Sequence, residues 1–459
     1  MKPLRYIRAV FGGLFAIAAI ALTLTPVLWL GSASAQTITR GPYLQMGTAT
    51  SQTLRWRTDS ATSTRLEVGP DPANLNLSTG SATPATEHVI TISGLLPATR
   101  YYYAVGSTTT RYAGADTNHF FVTPTQNSAT AASRIWVLGD AGTAGASGTS
   151  ASQTAVRNAY AAFNGTQYTN LILMLGDNAY NSGTDAEYQN AVFNMYGSFL
   201  RQTNLWSTVG NHDTAQATTI NISEVPYFNI FTLPANGEAG GLASGTPRYY
   251  SFNIGNIHFV CLDSMTSDRS PSGAMLTWLS ADLAANRQTW TVAFWHHPPY
   301  TKGSHDSDNE GQLIEMRGNA LPILESYGVD LVLAGHSHSY ERSYLIGGHY
   351  GLSSTWNPAT MLKNGGTGRP TGTGAYMKSF KGPRQAVYAV AGSAGQTGGG
   401  SLNHPAMVVS LNNLGSMVLD FNGNRLDAKF VRETGALDDS FSIIKNGVAP
   451  VPALIQLIQ

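Results

Sequence analysis

The chain has 459 residues, enough for two or three domains with sizeable cores. Lys+Arg and Asp+Glu balance at 27 each, and charged residues make up only 12% of the chain, so no charge excess favours nucleic acid or an anionic membrane surface. The single cysteine, Cys261, lies in an apolar run and excludes an internal disulfide; it reads as a buried core thiol.

Lys2, Arg5 and Arg8 precede an apolar run from about Ala9 to Leu30 and the small residues Ala33, Ser34 and Ala35. This pattern over residues 1–35 is that of a secretory signal cleaved after Ala35. The run is long for a signal, which leaves an uncleaved membrane anchor as the alternative. Either way the expected location is outside the cytoplasm, secreted or periplasmic, with no stable membrane association once the signal is removed.

Residues 36–125 read as all-β. Thr53–Thr58, His88–Ile92 and Arg100–Val105 alternate in polarity, and turn-rich pieces such as Gly69-Pro70-Asp71-Pro72 and Leu96-Pro97-Ala98-Thr99 separate them. Short strands at regular spacing predict a β-sandwich. A Ser/Thr/Ala-rich linker follows, reaching Ser133 from about residue 126.

From 134 to 445 strands alternate with helical stretches. Strands are expected at Arg134–Leu138, Leu171–Leu175, Leu205–Val209, Thr291–Trp295 and Val329–Ala334, with a hairpin around Gly255-Asn256 inside Tyr249–Asp263. Helices are expected over about Ser150–Phe163, Gly273–Asn286 and Gln312–Tyr327. Residues 347–382 are rich in Gly, Thr and Pro and read as one long loop. Ala386–Ala391, Ala406–Leu411, Ser416–Phe421 and Arg425–Val431 read as closing antiparallel strands, with a tail at 446–459.

Five of these strands end in residues that can ligate a metal: Asp140; Asp177 with Tyr180; Asn211 with His212; His296; and His336 with His338. In strand–helix alternations sites form beyond the carboxyl ends of strands. One Gly-Asp at a strand end is ordinarily a turn. Five ends carrying carboxylate, phenol, amide and imidazole are not accounted for by turns. Seven oxygen and nitrogen donors exceed what one tetrahedral zinc takes. They suit two metals roughly 3.5–4 Å apart, bridged by a carboxylate and clamping a phosphoryl oxygen.

The blocks Gly139-Asp140-x-Gly142, Gly176-Asp177-x-x-Tyr180, Gly210-Asn211-His212-Asp213, Trp295-His296 and Gly335-His336-x-His338 resemble, in order, those of the purple acid phosphatases, within the calcineurin-like metallophosphoesterase superfamily. Trp56, Leu95-Leu96-Pro97 and Tyr101-x-Tyr103 resemble the fibronectin type III-like domain that precedes the catalytic domain there. The resemblance implies an α/β, four-layer fold with two central mixed sheets behind an all-β immunoglobulin/fibronectin III-like sandwich. It implies that Asp177 bridges two metals, with Asp140, Tyr180 and His338 on the first and Asn211, His296 and His336 on the second. Fe(III) would sit with Tyr180, giving the purple colour, and Zn, Fe(II) or Mn at the second site. His212 would contact phosphate or assist proton transfer, and His305 would serve as an acid near the leaving group. His297 doubles the ligand histidine and is read as touching substrate, although the two could exchange. The implied activity is phosphate monoester hydrolysis by attack of a metal-bound hydroxide. A phosphodiesterase on the same centre, or a secreted binding protein with a non-catalytic metal site, are the alternatives. Lys302–Asp308 reads as a polar loop beside the site, Arg342 as an ion-pair partner of Glu341 with a phosphate as the alternative, and His404 and Asp439 carry no readable role.

Overall fold

The computed structural model describes residues 36–215, 224–380 and 384–446. The leader read from residues 1–35, and the tail beyond Asn446, lie outside the described residues.

The N-terminal β unit buries Leu44, Leu54, Trp56, Leu66, Val68, Tyr101, Tyr103 and Phe121 in its own core. Its six strands form one hydrogen-bonded network because Ser51–Gly69 is 19 residues long. The first part of that strand pairs with Ile38–Gln45 and its end with Arg100–Gly106, while Leu77–Ser93 runs alongside most of it. The Tyr101 hydroxyl accepts the backbone N–H of Leu96 at 3.0 Å, which fixes the corner at Leu95-Leu96-Pro97.

Two seven-stranded sheets follow. In the first, Ser133–Leu138, Leu171–Met174 and Asn204–Ser207 run parallel, extended on the other side by the antiparallel strands Gly415–Asn422, Arg425–Arg432 and Leu437–Asn446. In the second, Ile257–Cys261, Trp290–Trp295, Leu331–Ala334 and Val387–Ala391 run parallel. These strands are continuous apolar runs because both faces are covered. Side chains alternate between faces. Phe259, Val292, Phe294, Leu331 and Leu333 meet the first sheet, where Trp206 stacks on Phe252 at 3.8 Å. Val260, Ala293, Trp295 and Val332 meet helices Ala274–Ala285 and Leu321–Ser326 on the outer face. Helix Ala151–Asn164 lies outside the first sheet. Ser150 caps it by accepting from Gln153 N, and Gly165 ends it at φ 57°. No described helix is long and apolar enough to cross a membrane.

Several expectations change. Val387–Ala391 is parallel to Leu331–Ala334, so the close of the chain is mixed rather than antiparallel, and the strand Leu437–Asn446 was not foreseen. Residues 347–382 are not one loop: they hold the turns Ser353–Thr355 and Pro358–Met361 and the strands Leu362–Asn364 and Tyr376–Ser379. Lys378 holds the last of these, buried against Asp330 at 2.8 Å. Arg342 pairs with Asp439, not Glu341. The guanidinium meets both carboxylate oxygens at 2.6 and 3.0 Å, fully buried. Glu341 points the other way, accepting from Thr301 and Ser339.

Candidate metal centre

Because the parallel strands of both sheets end on one edge, their following loops meet there. Asp140, Asp177 and His336 adopt left-handed backbone angles, with φ of 55°, 52° and 65°. Such angles are costly for non-glycine residues and concentrate at functional sites. Space is scarce enough to demand glycine beside them. A Cβ on Gly210 would lie 2.2 Å from Asp177 Oδ1, and one on Gly176 would lie 2.5 Å from His296 Nδ1.

Two clusters share Asp177. In one, the Tyr180 hydroxyl lies 3.3 Å from Asp140 Oδ1 and 3.3 Å from His338 Nε2. In the other, Asn211 Oδ1, His296 Nε2 and His336 Nδ1 lie 3.0 to 3.2 Å from one another. Asp177 Oδ1 is 3.5 Å from His296 Nε2 and accepts the backbone N–H of His212 at 2.9 Å.

The tautomers follow from the outer partners. His296 Nδ1 donates to the Leu175 carbonyl at 2.9 Å, which leaves Nε2 bare. His336 Nε2 donates to Glu310 at 3.0 Å, which leaves Nδ1 bare. Three lone pairs, with that of the Asn211 carbonyl, therefore converge with no proton between them. Burial keeps the imidazoles neutral, pushing His296 down to about 3 and His336 and His338 to about 4. Burial and the neighbouring Asp177 push Asp140 well above the usual carboxylate range. Burial, then the two carboxylates, push Tyr180 well above its ordinary value. Neutral imidazoles facing crowded, desolvated carboxylates fit cations, which would offset the repulsion and leave every donor with a partner.

All ten residues expected from the sequence come together at this edge, in different surroundings. His212 is the most exposed, its ring 4.4 Å from that of Tyr180, and its Nδ1 donates to the Asn181 carbonyl at 2.7 Å. The His305 ring lies 3.7 Å from that of His336, tilted by 31°. His297 Nδ1 bonds the Ser264 hydroxyl at 2.9 Å, and one of its ring nitrogens lies within 4.8 Å of nitrogens of His296 and His336. Lys302 is committed to Asp306 and Asp308.

Three participants were missed. Glu310 accepts from His305 Nδ1 at 2.7 Å as well as from His336, and these bonds hold its carboxyl down at about 2. Its position five residues after His305 in the same polar loop was the available signal. Gln396 reaches His338 Nε2 at 3.3 Å from a Gly-rich loop without any sequence signal. Asp213, next to the expected His212, accepts from Gly210 N, Asn178 and Tyr188 and fixes the Asn211 turn.

The fold is the metallophosphoesterase fold, and the converging donors lie where its parallel strands end. Residues 133–340 match the calcineurin-like phosphoesterase family, and residues 40–123 match the purple acid phosphatase N-terminal domain. The chain thus carries a calcineurin-like phosphoesterase domain behind a purple acid phosphatase N-terminal domain, the pairing of the purple acid phosphatases, a family that implies a dinuclear metal centre. Purple acid phosphatase 15 of Arabidopsis thaliana is 31% identical over 284 residues, covering 56% of this chain and 49% of that protein. Purple acid phosphatase 1 of Ipomoea batatas is 29% identical over 272 residues, covering 57% and 52%. The chain thus spans about half the length of these curated relatives. In fold it is similar to the purple acid phosphatase PPD1 of yellow lupin, with a TM-score of 0.68 at 17% identity over 89% of this chain and 75% of that one. PhoD gives a TM-score of 0.60 at 13% identity, over 89% and 90%.

Proposed function

We propose that the chain is a secreted phosphatase that hydrolyses phosphate monoesters at a dinuclear metal centre. The convergence of three bare donor atoms from Asn211, His296 and His336 beside the Asp140–Asp177 carboxylates carries this reading. Asp140, Asp177, Tyr180 and His338 would hold Fe(III), and Asp177, Asn211, His296 and His336 would hold Zn, Fe(II) or Mn. When bound, the pair supplies Lewis-acid polarisation of the phosphoryl group and an activated water.

The side chains do the rest. His212 donates Nδ1–H to Asn181, so its Nε2, 4.0 Å from Asp177 Oδ2, meets a phosphoryl oxygen as a donor only in the imidazolium form. His305, its Nδ1 donating to Glu310, carries a second proton on Nε2 only as imidazolium; in that form it gives the Nε2 proton to the leaving-group oxygen as the ester bond breaks and is left as the neutral imidazole. His297 contacts the phosphate from the side of His336. The basic, apolar leader over residues 1–35 supports export.

The test is a hydrolysis panel on the purified mature chain, comparing an aryl phosphate monoester with a bis-aryl diester across pH, with metal content and visible spectrum recorded on the same sample. Monoester turnover in a coloured, iron-containing sample is expected. Preferred diester turnover would overturn the substrate class, and no turnover in a fully metallated sample would overturn catalysis. N-terminal sequencing of protein recovered outside the cells should begin at Gln36.

A further inference from the structure

Two adjacent histidines end the strand Trp290–Trp295, and their outer partners treat them oppositely. His296 gives its Nδ1 proton to a carbonyl. His297, 2% exposed, has its Nδ1 2.9 Å from Ser264 Oγ. The same oxygen accepts the backbone N–H of His297 at 3.1 Å. Ser264 is fully buried on the loop that follows Ile257–Cys261, and its hydroxyl has no other partner among the described residues.

A hydroxyl has one proton to place. Were Nδ1 of His297 protonated, Ser264 Oγ would accept twice and its own proton would be buried with no acceptor, which is unfavourable. With the hydroxyl donating to Nδ1, both contacts are satisfied: His297 N–H to Oγ, and Oγ–H to Nδ1. The neutral imidazole must then carry its proton on Nε2. That nitrogen has no hydrogen-bond partner among the described residues, and the ring stands 4.4 Å from His336 and 4.9 Å from His296. A protonated nitrogen cannot ligate a metal, but it can donate to an anion.

We propose that Ser264 is a positioning residue that locks His297 in the Nε2–H tautomer, making it a fixed donor to a phosphoryl oxygen beside the His296–His336 cluster rather than a further metal ligand. A carbonyl and a hydroxyl thus divide a His-His pair into one ligand and one donor. Only the identity of the acceptor rests on the phosphatase reading; the tautomer does not.

The test has two readouts. In the metal-free full chain labelled with 15N-histidine, two-bond proton–nitrogen correlations separate the tautomers, and His297→Gln identifies the signal. The wild type and Ser264→Thr should show Nε2–H, and Ser264→Ala should lose that pattern. In the metal-loaded full chain, inorganic phosphate should bind about tenfold more weakly to Ser264→Ala, with Ser264→Thr close to wild type. Should the alanine variant fail to fold, Ser264→Val against Ser264→Thr gives the same comparison at constant shape. Nδ1–H in the wild type, or phosphate affinity unchanged within about twofold without the hydroxyl, would overturn the proposal. If the wild type turned over no monoester while both readouts came out as expected, the function would fall and the role of Ser264 would stand.

Discussion

Asp177 has contacts that no other residue type could keep together. One oxygen accepts the His212 amide at 2.9 Å and lies 3.5 Å from His296, the other faces His212 Nε2 at 4.0 Å, and the backbone sits at φ 52° to allow it. Asparagine keeps the acceptor for the amide but removes the charge. Asp177→Asn should therefore fold, retain less metal, and lose activity by roughly a thousandfold or more. Metal analysis and turnover on one sample check this, and near wild-type turnover with both metals retained would contradict a bridging role. These donors were legible in the sequence because each follows an apolar strand directly, and parallel strands bring all such ends to one edge. Gln396 and Ser264 were not, because each lies in a loop whose path is set by tertiary contacts; Glu310 had only its place in the polar loop of His305 to mark it. Between His296 and His297, position after the strand already marks His296 as the ligand in the sequence; the structure adds the partners of the two rings, a carbonyl from Leu175 for His296 and a hydroxyl from Ser264 for His297.

At the scale of elements, the apolar strands and the capped helix were readable, whereas the segment 345–364 was hidden by its Gly and Thr content. It is held by buried side chains. His349 stacks on Tyr300 at 5.3 Å and meets Trp356 edge-on, His404 lies 5.4 Å from Tyr300, and Ser353 N donates to Asp308 at 2.9 Å. The segment thereby backs the loop that carries His305 and Glu310. Neither ring nitrogen of His349 has a hydrogen-bond partner among the described residues. Burial, aided by Arg317, pushes His349 down to about 4; burial, aided by His349, pushes His404 to about 3. In the unfolded chain both titrate at an ordinary value near 6.5. Between the folded and unfolded values the unfolded chain binds more protons, so stability rises with pH through that window and is lost as pH falls from 6.5 toward 4 and 3. Each histidine should cost on the order of 3 kcal/mol by pH 4 relative to pH 7. His349→Phe with His404→Asn should move the acid-unfolding midpoint of the metal-free chain to lower pH, followed by circular dichroism. An unchanged midpoint would mean that these imidazoles do not set acid stability.

In the molecule as a whole, the N-terminal β unit is built into the core of the phosphoesterase unit. Tyr43 belongs to the phosphoesterase core, its ring 4.7 Å from Phe193 and its hydroxyl donating to the Ile230 carbonyl at 2.7 Å. Arg40 is fully buried and meets both oxygens of Asp185 at 3.0 Å, with Nε on Gln189. Gln52 and Asn204 exchange two hydrogen bonds. All these partners lie between Asp185 and Ile230, the stretch that contains the strand Asn204–Ser207 and, just beyond it, Asn211 and His212. The β unit thus supports the backbone that presents the second cluster. Calorimetry should show one transition for both units, because unfolding either would expose Tyr43 and leave the Arg40 and Asp185 charges without partners. Tyr43→Ala removes the ring and the hydroxyl bond and should cost about 3–5 kcal/mol, whereas Tyr43→Phe should cost about 1 kcal/mol. Two well-separated transitions in the wild type would contradict this coupling. If the coupling holds, Tyr43→Ala should also weaken metal retention at the Asn211 cluster ahead of the Tyr180 cluster. The first draws Asn211 from the segment that Tyr43 supports, whereas Asp140, Tyr180 and His338 come from loops outside it.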